Sequence, residues 1–360
     1  MKRIVFQSNQ LSVRGTEIAL YDYAKYNQEI LGNESIIVYG EGSTSNNPDV
    51  VEKFKRSFRV CAYQEFSEVD RIIEAERADL FYAIKAGGRD GVLSSEVPSM
   101  VHAVFPTAPA EFHGSSYAFV SDWLSTVCSN RKVPVVPHIV KLPEVDGDLR
   151  AALGVPAAAM VFGCHGGADG FDIAFAKECV AQTLKLRSDV YFVFLNITPF
   201  LQHERAIFLP GSADVGYKVR FINTCDAMLH ARKRGETFGL ACAEFSLRNR
   251  PVLTYARSGE RNHIDVLGDK ARLYYGKTSL LELLLNMSRS DIQGRDWDCY
   301  SQLFSPARVM QRFQDVFIDT ATRRGVQEDC GITLDWVDRL AVRAHKADLR
   351  LIKLSRVLPG

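Results

Sequence analysis

Two glutamates, Glu236 and Glu244, stand eight positions apart, with Thr237, Phe238, Gly239 and Leu240 between them. The apolar run 226–230 reads as a strand, the polar stretch after it as a loop containing Gly235, and 239–247 as a helix. Glu236 therefore falls in the loop and Glu244 in the second turn of the helix. Helical side chains tilt back toward the N-terminus, so Glu244 reaches toward the face that Glu236 lines. Between the carboxylates the helix start offers unpaired backbone amides and the positive end of its dipole, which suit a diphosphate. Carboxylates repel phosphate, so a pair flanking an anion site must meet hydroxyls. One glutamate on a ribose, the other on a hexose and amides on a pyrophosphate together describe a nucleotide sugar. The plainer alternative is two solvated carboxylates on a helix surface.

The elements that must position this segment are legible as apolar runs. Strands are predicted at 3–6, 35–39, 80–84, 100–104 and 118–120 with a helix over 16–31, followed by strands at 160–163, 190–195, 226–230 and 252–255 with helices at 173–185 and 239–247. Runs that are apolar throughout, rather than alternating, suit parallel strands covered on both faces. Strand–helix–strand repetition then implies right-handed crossovers and a doubly wound α/β fold. Pro134, Pro137 and Pro143, with the acidic stretch 144–148, read as a linker. The expected fold class is α/β: two Rossmann-like domains in tandem, facing a cleft, with ligands at the carboxyl ends of the strands.

Composition excludes several classes. A chain of 360 residues exceeds one compact core, and 46% hydrophobic with 24% charged residues is neither disordered, collagen-like nor a coiled-coil filament. Forty-four basic against 43 acidic residues leave +1, so no chain-wide basic field awaits a nucleic acid. The longest apolar runs, such as 190–195, are far below the ~20 residues a spanning helix needs. The opening residues, 1–7, are too brief for a signal peptide. The eight cysteines form no CxxC pair and several sit in apolar stretches, as at Cys128 and Cys242, which reads as buried free thiols in a reducing cytoplasm with no metal.

The segment Glu236-x7-Glu244 encloses Phe238-Gly239, is preceded by Phe221-Ile222-Asn223-Thr224-Cys225-Asp226-Ala227 and is followed by Arg250-Pro251-Val252-Leu253-Thr254. Over residues 220–256 it resembles the E-x7-E segment of retaining GT-B glycosyltransferases of the family 4 type. The resemblance implies GT-B architecture: an acceptor-side domain over 1–141, completed by C-terminal helices over 306–360, and a donor-side domain over 142–305. It implies transfer of a sugar, with retention, from a nucleotide-sugar donor to a hydroxyl of a glycan, lipid or small-molecule acceptor, without metal or cofactor. It assigns Glu236 to the transferred sugar, Glu244 to the ribose, and the amides of Thr237, Phe238, Gly239 and Leu240 to the leaving phosphate. By the same resemblance Gly15, opening the first helix, lies against the donor phosphates, although an N-cap turn explains it equally. His102, in the strand 100–104, takes the donor-sugar contact; a structural histidine is the alternative there.

The chain also departs from that family. After the first strand of the donor domain the family carries a Gly-Arg-x(4–5)-Lys-Gly pattern, whereas Gly163-Cys164-His165-Gly166-Gly167-Ala168-Asp169-Gly170-Phe171-Asp172 holds no cation before Lys177. Gly166 and Gly167 still permit close backbone approach to a ligand. Charge opposite a diphosphate must then come from helix dipoles or from Arg232, Lys233, Arg234, Lys85, Arg89 or Arg14. Asp296-Trp297-Asp298 spells the DxD of metal-dependent glycosyltransferases but follows a helix and reads as a solvated turn; Asp169 and Asp172 lack partner ligands. Two other functions compete. One is a non-catalytic nucleotide-sugar-binding protein of the same fold. The other, a hydrolase with Glu236 and Glu244 as acid and base, fits poorly, because glycosidase carboxylates flank the bond at ~5–9.5 Å.

At the C-terminus Arg339, Arg343, Lys346, Arg350, Lys353 and Arg356 recur every three or four residues, beside an apolar row of Leu340, Ala344, Ala347, Leu351, Leu354 and Leu358. Three arrangements fit: packing on the first domain, peripheral contact with an anionic membrane, or dimerisation as a short coiled coil through 335–358. Packing is the expectation, because alanines on the apolar row weaken membrane insertion.

Overall fold

The computed structural model describes residues 1–355. It forms two compact units, Met1–Ile139 with Phe304–Ala347, and Val140–Leu303 with the chain from Asp348 onward.

The first unit runs β1 (Arg3–Ser8), α1 (Gly15–Glu29), β2 (Glu34–Gly40), α2 (Pro48–Lys55), β3 (Arg59–Tyr63), α3 (Val69–Ala75), β4 (Leu80–Lys85), β5 (Ser99–Ala103), β6 (Ser116–Phe119) and α4 (Asp122–Ser129). Its six strands form one parallel sheet in the order β3-β2-β1-β4-β5-β6. Val5 pairs in register with Ile36 on one side and Phe81 on the other, and all three are fully buried. Such strands are apolar on both faces because helices cover both, and each large side chain buried contributes about 1.5–3 kcal/mol.

The second unit continues with β7 (Met160–His165), α5 (Ala174–Leu186), β8 (Val190–Leu195), β9 (Ala206–Leu209), α6 (Val215–Thr224), β10 (Ala227–His230), β11 (Gly235–Glu236), α7 (Leu240–Leu247), β12 (Val252–Tyr255), β13 (Glu260–Arg261), α8 (Asn262–Leu267), β14 (Arg272–Tyr274), α9 (Lys277–Asn286) and α10 (Arg289–Ile292). Its main sheet is also six-stranded and parallel, in the order β14-β12-β10-β7-β8-β9. The chain lays β7 in the middle, winds outward through β8 and β9, then returns to wind the other way. Pairing of β7 with β10 covers only Ala227↔Phe162 and Met228↔Gly163. Beyond those pairs the two carboxyl ends part, which is where open α/β sheets bind ligands.

A buried ionic anchor fixes the other end of this sheet. Arg150 and Asp226 are 8% and 7% exposed and pair at 2.8 Å. The guanidinium also donates to the carbonyls of Thr224 and Ala159 at 3.1 and 2.9 Å, while the carboxylate accepts from the Val161 amide at 2.8 Å and pairs with Arg289 at 3.0 Å.

The chain then returns to the first unit with α11 (Pro306–Phe313), a π-turn at Gln314–Asp319, α12 (Thr320–Arg324) and α13 (Trp336–Ser355), the last belonging to that unit as far as Ala347. Phe313 and Phe317 pack against Tyr23 and Tyr82, with ring centroids 5.2–5.6 Å apart. Among the described residues no helix is long and apolar enough to cross a membrane.

Candidate functional site

His165 ends β7 and His230 ends β10, so the two diverging strands each present an imidazole at the switch point. The loop after β10 closes on itself through Gly235, whose φ of +80° and crowding admit no side chain: a Cβ there would lie 2.0 Å from the Glu260 carbonyl oxygen. That closeness lets β11 pair with β13, through Gly235↔Glu260 and Glu236↔Arg261. Gly239, at φ +95°, then starts α7 hard against Glu236, because a Cβ there would sit 3.2 Å from the Glu236 Cβ and 3.0 Å from that of His263. Asn262 pins the turn by donating to the Phe238 carbonyl at 3.0 Å. Among the described residues no side chain caps the start of α7, so its first amides keep their N–H groups for a ligand.

Each glutamate is held by one cation and one histidine. Arg232 Nη1 donates to both oxygens of Glu236, at 2.9 and 3.0 Å, and His230 Nε2 stands 3.3 Å from the same carboxylate. With His230 Nε2 donating, its Nδ1 accepts from the Thr254 hydroxyl at 2.9 Å, which in turn accepts from His263 Nε2 at 2.9 Å. Glu244, 6% exposed, pairs with Lys218 of α6 and with His165 Nε2 at 3.0 Å. The His165 ring stacks on Phe245, centroids 5.7 Å apart.

These partners set the charge. Burial pushes both carboxyls up, but for Glu236 the His230 hydrogen bond and the Arg232 charge outweigh it, and for Glu244 the Lys218 charge and the His165 hydrogen bond do so. Both settle near a pKa of about 2, against an ordinary value of 4.5. Burial holds His263 neutral, its pKa well below the usual 6.5.

A depressed folded pKa contributes stability that is fully present above the unfolded value and is lost as pH falls through the folded one. Glu244→Gln is therefore expected to cost stability at pH 7, with the difference from wild type shrinking as pH falls from 4.5 toward 2. Urea unfolding of both proteins across that range measures it; a pH-independent difference contradicts the ion-pair account.

The structure brings most of the expected site residues together. The loop carrying Gly166 and Gly167 lies at the same sheet edge, its Asp172 amide donating to the Ala231 carbonyl at 3.0 Å and its Asp172 carboxylate accepting from the Lys233 amide at 2.6 Å. Asn196 Nδ2 holds it from the other side, donating to the Gly166 carbonyl at 2.7 Å. Nothing lies within 4 Å of a Cβ built on Gly166 or Gly167, so open space faces both. Asp296 pairs with Lys270 at 2.9 Å and Asp298 accepts from the Tyr300 and Ser301 amides, which is a turn.

Gly15 and His102 belong to the first unit. Gly15 is the exposed first residue of α1. His102 is fully buried, its Nδ1 2.7 Å from the Tyr82 hydroxyl and its ring 5.2 Å from Phe317, with burial lowering its pKa to about 3. A neutral imidazole with no open surface offers a ligand no contact in this arrangement. Nothing in the spacing of the sequence marks Lys218 or His263 as partners of the glutamates, and Thr254 is visible there only as part of the segment 250–254. Only the position of His165 and His230 at strand ends marked them.

No family model matches the sequence, and no curated protein does. Solved structures do. Anabaena HepE in complex with UDP and glucose superposes with a TM-score of 0.65 at 15% identity, covering 88% of this chain and 99% of that one. AviGT4, a glycosyltransferase involved in avilamycin A biosynthesis, gives 0.57 at 13% identity over 90% and 98%. A Staphylococcus aureus MnaA–UDP structure gives 0.57 at 13% identity over 87% and 95%. The chain has the two-domain α/β fold of GT-B glycosyltransferases.

Proposed function

We propose that the protein is a glycosyltransferase that moves a sugar from a uridine diphosphate sugar to a hydroxyl acceptor, with retention and without metal or cofactor. The observation that carries this reading is a pair of ionised glutamates on either side of an uncapped helix start, at the switch point of a parallel sheet. The UDP seen with HepE and MnaA supports the choice of base. Glu236 takes hydroxyls of the transferred sugar, Glu244 those of the ribose, and the amides at the start of α7 the leaving phosphate. Gly166 and Gly167 form the floor opposite. The first unit receives the acceptor, and the free thiols fit a cytoplasmic setting.

The missing cations after β7 are replaced by Arg232. Arg234 is engaged with Glu260 at 2.7 Å, and Lys85 with Asp90. Arg232, by contrast, spends one nitrogen on Glu236 and is 37% exposed. When donor enters, Glu236 turns to sugar hydroxyls and Arg232 to phosphate oxygens, a charge-assisted pair each way. Stabilising the departing diphosphate is where such a site supplies most of its rate.

Calorimetric titration with UDP and uridine, together with free-UDP release from a panel of UDP-sugars, tests the proposal. Binding of UDP well above uridine, with release of UDP when an acceptor is present, is expected. Arg232→Ala should weaken UDP roughly 10–100-fold and leave uridine unchanged, since a hydrogen bond to a charged group is worth about 1.5–3 kcal/mol. Binding without release in any acceptor mixture favours a non-catalytic nucleotide-sugar-binding protein; no binding ends the proposal.

A further inference from the structure

The C-terminal helix does not bury the apolar row that its sequence suggests. Val342 and Asp338 turn inward instead, 5% and 3% exposed, with the Asp338 carboxylate accepting from Asn130 Nδ2 at 3.0 Å and pairing with Lys132 at 3.5 Å. The expected core row faces out: Leu340 is 58% exposed and Leu351 63%, with Ala344 and Ala347 also exposed, and Trp336, 75% exposed, and Val337 join it. At roughly 100° per residue these six positions span an arc of about 100° on one side of α13. Arg339, Arg343, Lys346 and Arg350, all exposed, occupy the adjoining arc of about 60°. Asp348 is the one exposed acid on the helix.

We propose that this face of α13 docks on an anionic lipid surface. The cations complement phosphate and carboxylate headgroups, while Trp336, Leu340 and Leu351 enter the boundary between headgroups and acyl chains. Ala344 and Ala347 keep the insertion shallow, so attraction of charge leads and apolar burial follows. A second copy of the chain fits less well, since pairing this face with itself sets four cations against four. A nucleic acid would answer the cations but leave the apolar arc in water. The inference rests on the helix alone and stands apart from the donor reading.

Co-sedimentation of the full chain with vesicles tests it, using phosphatidylcholine mixed with phosphatidylserine and phosphatidylcholine alone, at low and high salt. The protein is expected to pellet with the mixed vesicles at low salt and to stay in solution otherwise. Arg339→Gln with Arg343→Gln should weaken binding about 25-fold, at about fivefold per cation. Trp336→Ser with Leu340→Ser should weaken it as well while salt dependence persists. All four side chains are exposed, so the variants keep the fold, which circular dichroism checks. Equal pelleting of wild type and both variants overturns the proposal, as does no pelleting of the wild type. A salt-insensitive dimer broken by Trp336→Ser, or tighter binding to DNA than to vesicles, overturns it in favour of another partner.

Discussion

Glu236→Gln is expected to lower kcat/KM for sugar transfer by a factor on the order of 10²–10³ while leaving UDP binding within a fewfold of wild type. The two halves of the donor separate in this comparison. UDP carries no hexose, so the contact attributed to Glu236 is missing from its complex and cannot be lost. The glutamine keeps the shape of the side chain and can still accept from Arg232 and His230, so the loop between β10 and α7 stays closed around Gly235. What it removes is the full negative charge that the His230 hydrogen bond and Arg232 preserve to low pH. A charge aimed at a sugar whose ring becomes cationic in the transition state is worth more there than in the ground state, so the loss should fall on kcat. Wild-type turnover in Glu236→Gln would remove this residue from the chemistry. A matching loss of UDP affinity would mean that it only supports the loop.

Asp226→Ala carries the largest expected cost in stability. The carboxylate sits at the start of β10, where it neutralises Arg150 and accepts from the Val161 amide of the neighbouring strand. Its removal leaves a buried guanidinium with carbonyl partners but without its closest anion, and breaking a buried pair in this way costs about 3–5 kcal/mol. For a unit of this size that corresponds to a fall of roughly 6–20 °C in Tm. Removing both ends, as Arg150→Met with Asp226→Leu, should recover much of the loss, because no buried charge is then stranded and Arg289 is partly exposed to water. Thermal and urea unfolding of the two variants decide the matter. A loss below about 1 kcal/mol for Asp226→Ala would show that the Thr224 and Ala159 carbonyls, with water, already satisfy the Arg150 guanidinium.

The central strands were legible because parallel strands buried on both faces must be apolar throughout: Val190–Leu195 and Val252–Tyr255 match the expectation residue for residue. The edge strands β3, β9 and β14 were not. Arg59–Tyr63 keeps Arg59 and Ala62 exposed, so no continuous apolar run marks it. Within the site, the glutamate pair and its glycines were readable from spacing. The partners that ionise Glu236 are local, His230 and Arg232 standing six and four residues before it, but those of Glu244 come from distant positions: Lys218 is 26 residues from Glu244 in sequence and meets it only because α6 and α7 flank the same strand. His263 likewise joins His230 through Thr254 on a third element. For α13 the periodicity was correct and its inward side was not, because Asn130 and Lys132 give Asp338 polar partners that make it the buried residue. Lys353 and Leu354 fall where side chains are not described, and Arg356 and Leu358 lie outside the described residues.

The most direct measurement is a crystal structure of the protein soaked with a UDP-sugar. The diphosphate is expected on the first amides of α7 with Arg232 turned onto it, the hexose against Glu236 and the ribose against Glu244. A nucleotide seated elsewhere, or a UDP-sugar that binds in solution while both glutamates keep only their present partners, would contradict that arrangement.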